Sequence, residues 1–173
     1  SRLSELRRRH ELCKTSAETE EIRLDFERDW DIVADLEGWM ASIFERSSKV
    51  RRCYLDLHRA VQYFLELWRP AKDEIRWIET AERCATLSGS TADVVDCEIE
   101  LAFALVRSAE LDRAMTVALR TQNRILDESQ RVRHLRSHGL IQRSLGLNDS
   151  ESTFRIALDL TAKLPGAEAA RTA

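Results

Sequence analysis

A unit of just under forty residues recurs along the chain: a helical pattern, a short turn, then a second helical pattern rich in Ala and Leu. It runs from Tyr63-Phe64 through Trp77-Ile78, from Leu101-Ala102 through Ala118-Leu119, and from Gly139-Leu140 through Ala157-Leu158. Ala118-Leu119 stands 39 positions before Ala157-Leu158, and Trp77 stands 38 before Met115. A period of that length suits helix pairs stacked on one another, each burying a face it cannot bury alone. The expectation is an all-α chain of stacked antiparallel helix pairs that offers a recognition surface, in preference to a closed catalytic domain.

Composition agrees. With 173 residues, 43% of them hydrophobic, the chain can fill one continuous core, and two prolines and five glycines leave little turn chemistry for a many-stranded β architecture. A net charge of −3 supplies no global field toward nucleic acid or an anionic membrane, so any such contact has to be local. The longest apolar runs, such as Leu101–Val106, are too short to cross a bilayer. Cys13, Cys53, Cys84 and Cys97 contain no Cys-x-x-Cys pair and read as buried, unpaired thiols of a cytoplasmic protein. The chain opens at Ser1, not Met, which is read as a fragment or a processed form.

Helix boundaries are written in the turn residues. Leu3, Leu6 and Leu12 mark a short first helix, with Thr15 and Ser16 recapping the chain after it. Ile22, Phe26, Trp30, Val33, Leu36, Met40 and Ile43 step by three or four and predict a helix of six turns, softened at Gly38. Tyr54, Leu57, Val61, Phe64, Leu65 and Trp68 form the apolar face of the next, ended by Arg69-Pro70 because proline disfavours helical geometry in the residue before it. Ile75, Ile78, Ala81 and Ala85 line its partner. Ser88-Gly89-Ser90-Thr91, Ser108-Ala109-Glu110, Asp127-Glu128-Ser129 and Gly146-Leu147-Asn148-Asp149 divide the rest. The expected divisions are N-terminal helices at 1–50, helical repeats at 51–164 and a frayed tail at 165–173.

The repeat resembles the tetratricopeptide family. Leu101-Ala102 and Ala114 stand where that family favours Leu, a small residue and Ala, and Gly139 and Ala157 do the same in the last unit. Residues 20–87, with Tyr63–Trp68 and Asp73–Glu79, are similar to the variant beside the nucleotide-binding module of bacterial signal-transduction ATPases and transcription regulators. Tyr63 in place of a small residue and Pro70 in place of the turn glycine depart from the pattern. The resemblance implies a short right-handed solenoid and a noncatalytic sensor or scaffold role, with a protein or peptide bound on the concave face and no cofactor.

Within that frame the candidate binding residues are Arg107, Arg133, Arg136 and Arg143. The last three fall on one helical stripe, and guanidinium forks suit the carboxylates of an acidic partner. The bland alternative is a solvated face whose arginines pair with Glu100, Glu128 or Glu151. His134 and His138 are four apart, yet Leu135 occupies the place of a zincin glutamate, so surface or interface histidines are the expectation. Trp30, Trp39, Trp68 and Trp77 read as packing residues, Trp39 the most exposed of them. No nucleophile elbow, phosphate loop or dinucleotide fingerprint occurs in the sequence, and the chain is read as not an enzyme. Two other functions stand beside the first: a self-associating architectural domain, and local nucleic-acid binding through the 131–143 basic segment.

Overall fold

The computed structural model describes residues 2–13 and 15–166. Among the described residues the chain is all-α, with no strand: α1 (Arg2–Leu12), α2 (Ser16–Ile43), a 3₁₀ turn (Phe44–Arg46), α3 (Ser48–Trp68), α4 (Ala71–Leu87), α5 (Thr91–Arg107), α6 (Leu111–Gln122), α7 (Glu128–Ser144) and α8 (Ser150–Thr161). The chain divides into two compact units, Ser1–Ser88 and Gly89–Ala173. Their boundary lies inside the 51–164 segment read as repeats. The expected tail falls mostly on 167–173, outside the described residues; Pro165 and Gly166 are exposed.

Short polar side chains start the helices. Thr15 Oγ1 accepts from the Glu18 amide at 3.2 Å while Glu18 Oε2 accepts from the Thr15 amide at 3.0 Å, a reciprocal cap for α2. Ser47, Ser90 and Asp127 cap α3, α5 and α7 in the same sense, accepting from Val50, Asp93 and Gln130 amides. Pro70 precedes α4, where a missing amide proton costs nothing.

Among the described residues three turn positions have positive φ: Gly89 at 70°, Gly146 at 70° and, without glycine, Ala109 at 62°. After α5 the Glu110 amide donates to Leu105 O at 2.9 Å, and after α7 the Leu147 amide donates to Gln142 O at 2.8 Å. Both bonds close the same left-handed helix end. Gly38 neither breaks nor divides α2.

In Ser1–Ser88, α1 packs on α2 and α3, and α3 on α4. Leu6, Ile22, Phe26 and Phe64 are buried together with Trp30, Tyr63 and Trp68 against them. Val33, Val61, Leu65 and Trp77 form a second cluster. Phe26 stacks on Phe64 at 4.8 Å between ring centroids, and Phe64 on Trp68 at 5.2 Å. α1 and α2 therefore share the first cluster with α3, and α2 shares the second with α3 and α4.

One apolar position of α2 differs from the expectation. Leu36 is 43% exposed, while its neighbour Glu37 is 2% exposed. The interior line runs Ile22, Phe26, Val33, Glu37, Met40, Phe44, and Glu37 is accommodated because Tyr54 Oη donates to it at 2.9 Å and Arg76 reaches it at 3.5 Å. Burial first, and the Glu37 carboxylate second, push the Tyr54 hydroxyl pKa well up, so it stays a donor.

In Gly89–Ala173, α5 packs on α6 and α7 on α8, and α7 also meets α5 and α6. Ala102, Ala104, Ala114, Ala118 and Ala157 are buried there. Gly139 is closely packed: a Cβ at that position would lie 2.8 Å from Phe154 Cε1 of α8, so that ring would have to shift.

Candidate functional site

The N-terminal turns of α5 and α7 are laced together by polar side chains. Gln130, almost wholly buried, donates through Nε2 to Ala92 O at 3.3 Å and to Asp96 Oδ1 at 3.1 Å, and its Oε1 accepts from the Leu126 amide at 3.1 Å. Arg133 Nη2 pairs with the same Asp96 Oδ1. Around this lattice opens a cleft of about 590 Å³ lined by Ala92, Asp96, Asp127, Gln130, Arg133 and Lys163, among others. It holds cations and carboxylates side by side and is no simple anion pocket.

That placement revises the arginine stripe. Arg133, 25% exposed, spends its charge on Asp96, which is none of the three acids expected from the sequence. Arg136 is half-buried on the same helix and Arg143 is exposed near its end. Arg107 is exposed as the last residue of α5. Of the four candidates, the cleft takes in Arg133. Asp96 and Gln130 were not anticipated, since a contact between positions 34 to 38 apart leaves no local trace beyond the repeat period itself.

A second buried charge lies deeper in the same unit. Glu98 is fully buried, with Arg120 Nε at 2.7 Å and Arg124 Nη1 at 2.9 Å on Oε1, while Oε2 has no hydrogen-bond partner. The two arginines are nearly half exposed and lid the carboxylate at the end of α6. Removing them leaves a buried anion unpaired, which is the costly direction for such a cluster.

The histidines depart from the surface role. His134 is 3% exposed and its Nδ1 is buried without a hydrogen-bond partner. Burial, then the neighbouring His138 with its ring 5.8 Å away, pulls its pKa down to about 4. Burial also lowers His138. Among the described residues no three His, Cys, Asp or Glu side chains come together as a metal site.

Of the tryptophans, Trp77 is fully buried, Trp30 and Trp68 half-buried, and Trp39 is 56% exposed. All four cysteines are free. Cys84 and Cys97 are buried, but Cys53 is exposed, so burial does not describe every thiol. Desolvation pushes the Cys84 pKa up to about 11, which makes it inert. Among the described residues no helix is long and apolar enough to cross a membrane. Comparison of the chain with protein-family models, curated proteins and solved structures finds no match.

Proposed function

We propose that Gly89–Ala173 is a noncatalytic docking module built from two antiparallel, tetratricopeptide-like helix pairs, α5/α6 and α7/α8, which binds a protein or peptide along α5 and α7. The observation that carries this reading is the open cleft between those two first helices of successive pairs. It is supported by the small residues that let the pairs close up, Gly139 against Phe154 above all. It is supported too by the 37-residue offset of the Asp96–Arg133 pair, which is within two residues of the repeat spacing.

On this reading Arg133 is a brace that holds α5 and α7 at a fixed distance. Extended along both helices, the same offset sets Arg107 level with the end of α7, where Arg143 lies. An acidic partner is then met by Arg107, Arg136 and Arg143, while the cleft floor accepts uncharged or mixed-charge groups.

The test is fluorescence anisotropy of the whole chain with a labelled peptide rich in Asp and Glu. Arg136→Glu and Arg143→Glu should each weaken binding by about tenfold with helical content unchanged. Equal affinity of both variants and the parent overturns the assignment.

Self-association is favoured by a different observation. Leu119 and Leu158 follow the buried alanines of α6 and α8 at equivalent repeat positions and are 51% and 69% exposed. Light scattering across a concentration series decides it: a mass that rises with concentration and falls back with Leu119→Ser and Leu158→Ser supports an assembly, and a strict monomer removes it.

A further inference from the structure

We propose that the outer flank of α2, from Ile32 to Ile43, is a seat for a short cationic amphipathic helix of a partner protein. Ile32, Leu36 and Trp39 are 71%, 43% and 56% exposed, and Ile43 is half-buried. Their spacing of four, three and four is the seam spacing of one helix laid against another. At 1.5 Å of rise per residue the seam runs about 17 Å, or three turns.

The chain itself shows what this flank of α2 accepts. α1 carries four arginines against two glutamates, and two of those arginines pair with the acids that precede the seam on α2: Arg9 reaches Glu21 at 3.2 Å and Asp25 at 3.0 Å, and Arg2 reaches Asp29 at 2.7 Å. Later residues of α1 meet earlier residues of α2, so α1 begins beside Asp29. The apolar seam opens three residues further on. It continues an established helix–helix interface past the point where its occupant ends.

Charge selects the occupant. Asp31 and Asp35 are exposed beside the seam, and neither has an ion-pair partner among the described residues. No Lys or Arg lies in the sequence between Arg28 and Arg46, and Arg28 is itself held by Asp25 at 3.3 Å. Two copies joined face to face through this flank would bring Asp31 and Asp35 against their own images, which disfavours self-pairing. A helix with apolar residues at the same four-three spacing and Lys or Arg alongside them satisfies both features, its cations doing for Asp31 and Asp35 what Arg2 and Arg9 of α1 do for Asp29 and Asp25.

The probe is a labelled peptide of about sixteen residues, with leucines at four-three spacing and lysines flanking them, beside a twin with glutamates in place of the lysines. Titrated against the whole chain by anisotropy, the lysine peptide should bind about tenfold or more tightly than its twin, and the preference should shrink with added salt. The Asp31→Lys/Asp35→Lys chain should reverse the preference, and Trp39→Ser should weaken the lysine peptide by about tenfold. All three positions are exposed, so circular dichroism should be unchanged. Failure of both peptides to bind overturns the proposal, as does a preference that survives charge reversal. A concentration-dependent dimer that Trp39→Ser disperses also overturns it and assigns the seam to a second copy.

Discussion

In Ser1–Ser88 the interior is filled by rings, with Phe26 on Phe64, Phe64 on Trp68 and Trp77 wholly enclosed, whereas in Gly89–Ala173 it is lined by Ala102, Ala104, Ala114, Ala118, Gly139 and Ala157. The second unit also buries more polar side chains, among them Glu98, Gln130, His134, Ser137, Gln142 and Thr153. Large rings gain stability by removing apolar area from water and tolerate irregular helix spacing. Small residues gain it by letting backbones approach, and they leave buried polar groups to be satisfied one by one, as when Thr153 Oγ1 donates to Gln142 Oε1 at 2.7 Å. The two units should therefore fail differently: the first when a ring is removed, the second when an atom is added or a proton arrives.

The largest effect belongs to the first unit. Phe64→Ala deletes a ring that is fully buried and stacked on both sides, and it should cost about 3–5 kcal/mol in chemical denaturation. Hydrogen exchange should place the lost protection in α2 and α3. A cost below about 1 kcal/mol would show that the cluster collapses around the gap and that the rings are not its determinant.

Protonation should strike the second unit. His134 is held neutral, with its pKa down to about 4 against an ordinary value near 6.5. Below pH 6.5 the unfolded chain takes up a proton that the folded chain refuses, so the stabilisation is complete above that pH and is lost as pH falls toward 4. The loss is on the order of 3 kcal/mol at the acid end, and His138 acts in the same direction. Denaturation midpoints measured between pH 7 and 4 should fall, and His134→Gln should flatten the slope. An unchanged slope would move the acid sensitivity elsewhere.

Addition of atoms is the third test. At Gly139 even a Cβ meets Phe154 Cε1 at 2.8 Å, and Gly139→Val should destabilise by about 1–3 kcal/mol in thermal unfolding. Because the obstructing atom is the edge of a half-buried ring, Phe154→Leu in the same chain should recover part of that loss. Absence of recovery would mean that the backbone, and not the ring, fixes the approach of α7 and α8.

The same contrast explains what could be read from sequence. Helix ends were legible because Thr15, Pro70, Gly89 and Gly146 act within one turn of themselves, and those ends lie where these residues stand. The ring cluster was legible because aromatic periodicity and burial coincide in α3. Leu36 and Glu37 were exchanged because hydrophobicity alone ranks a leucine inside and a glutamate outside, and the Tyr54 hydroxyl that admits Glu37 lies 17 residues away. For the same reason Leu36 read as core, whereas Trp39 was expected to be the most exposed tryptophan and is 56% exposed. The cleft was legible only at Arg133, since Asp96 and Gln130 acquire meaning when α5 and α7 are side by side.

The smallest effects come from two positions, Ala109 and Gly38, where opposite exchanges of alanine and glycine should both stabilise. Ala109 turns the chain after α5 with φ of 62°, a geometry that Gly146 supplies without strain after α7. An L-residue with a Cβ pays roughly 1 kcal/mol there, so Ala109→Gly should stabilise by about that amount, less the entropy the glycine adds to the unfolded chain. Gly38 is the converse: it lies inside α2, exposed, with nothing within 4 Å of a built Cβ, so Gly38→Ala should also stabilise, by up to about 1 kcal/mol. Combined, they should add, because they are far apart in sequence and share no partner. If Ala109→Gly instead destabilises, the entropy that glycine adds to the unfolded chain exceeds the strain of the Cβ, and the Ala109 turn, closed by the bond from the Glu110 amide to Leu105 O, is less strained than its φ suggests.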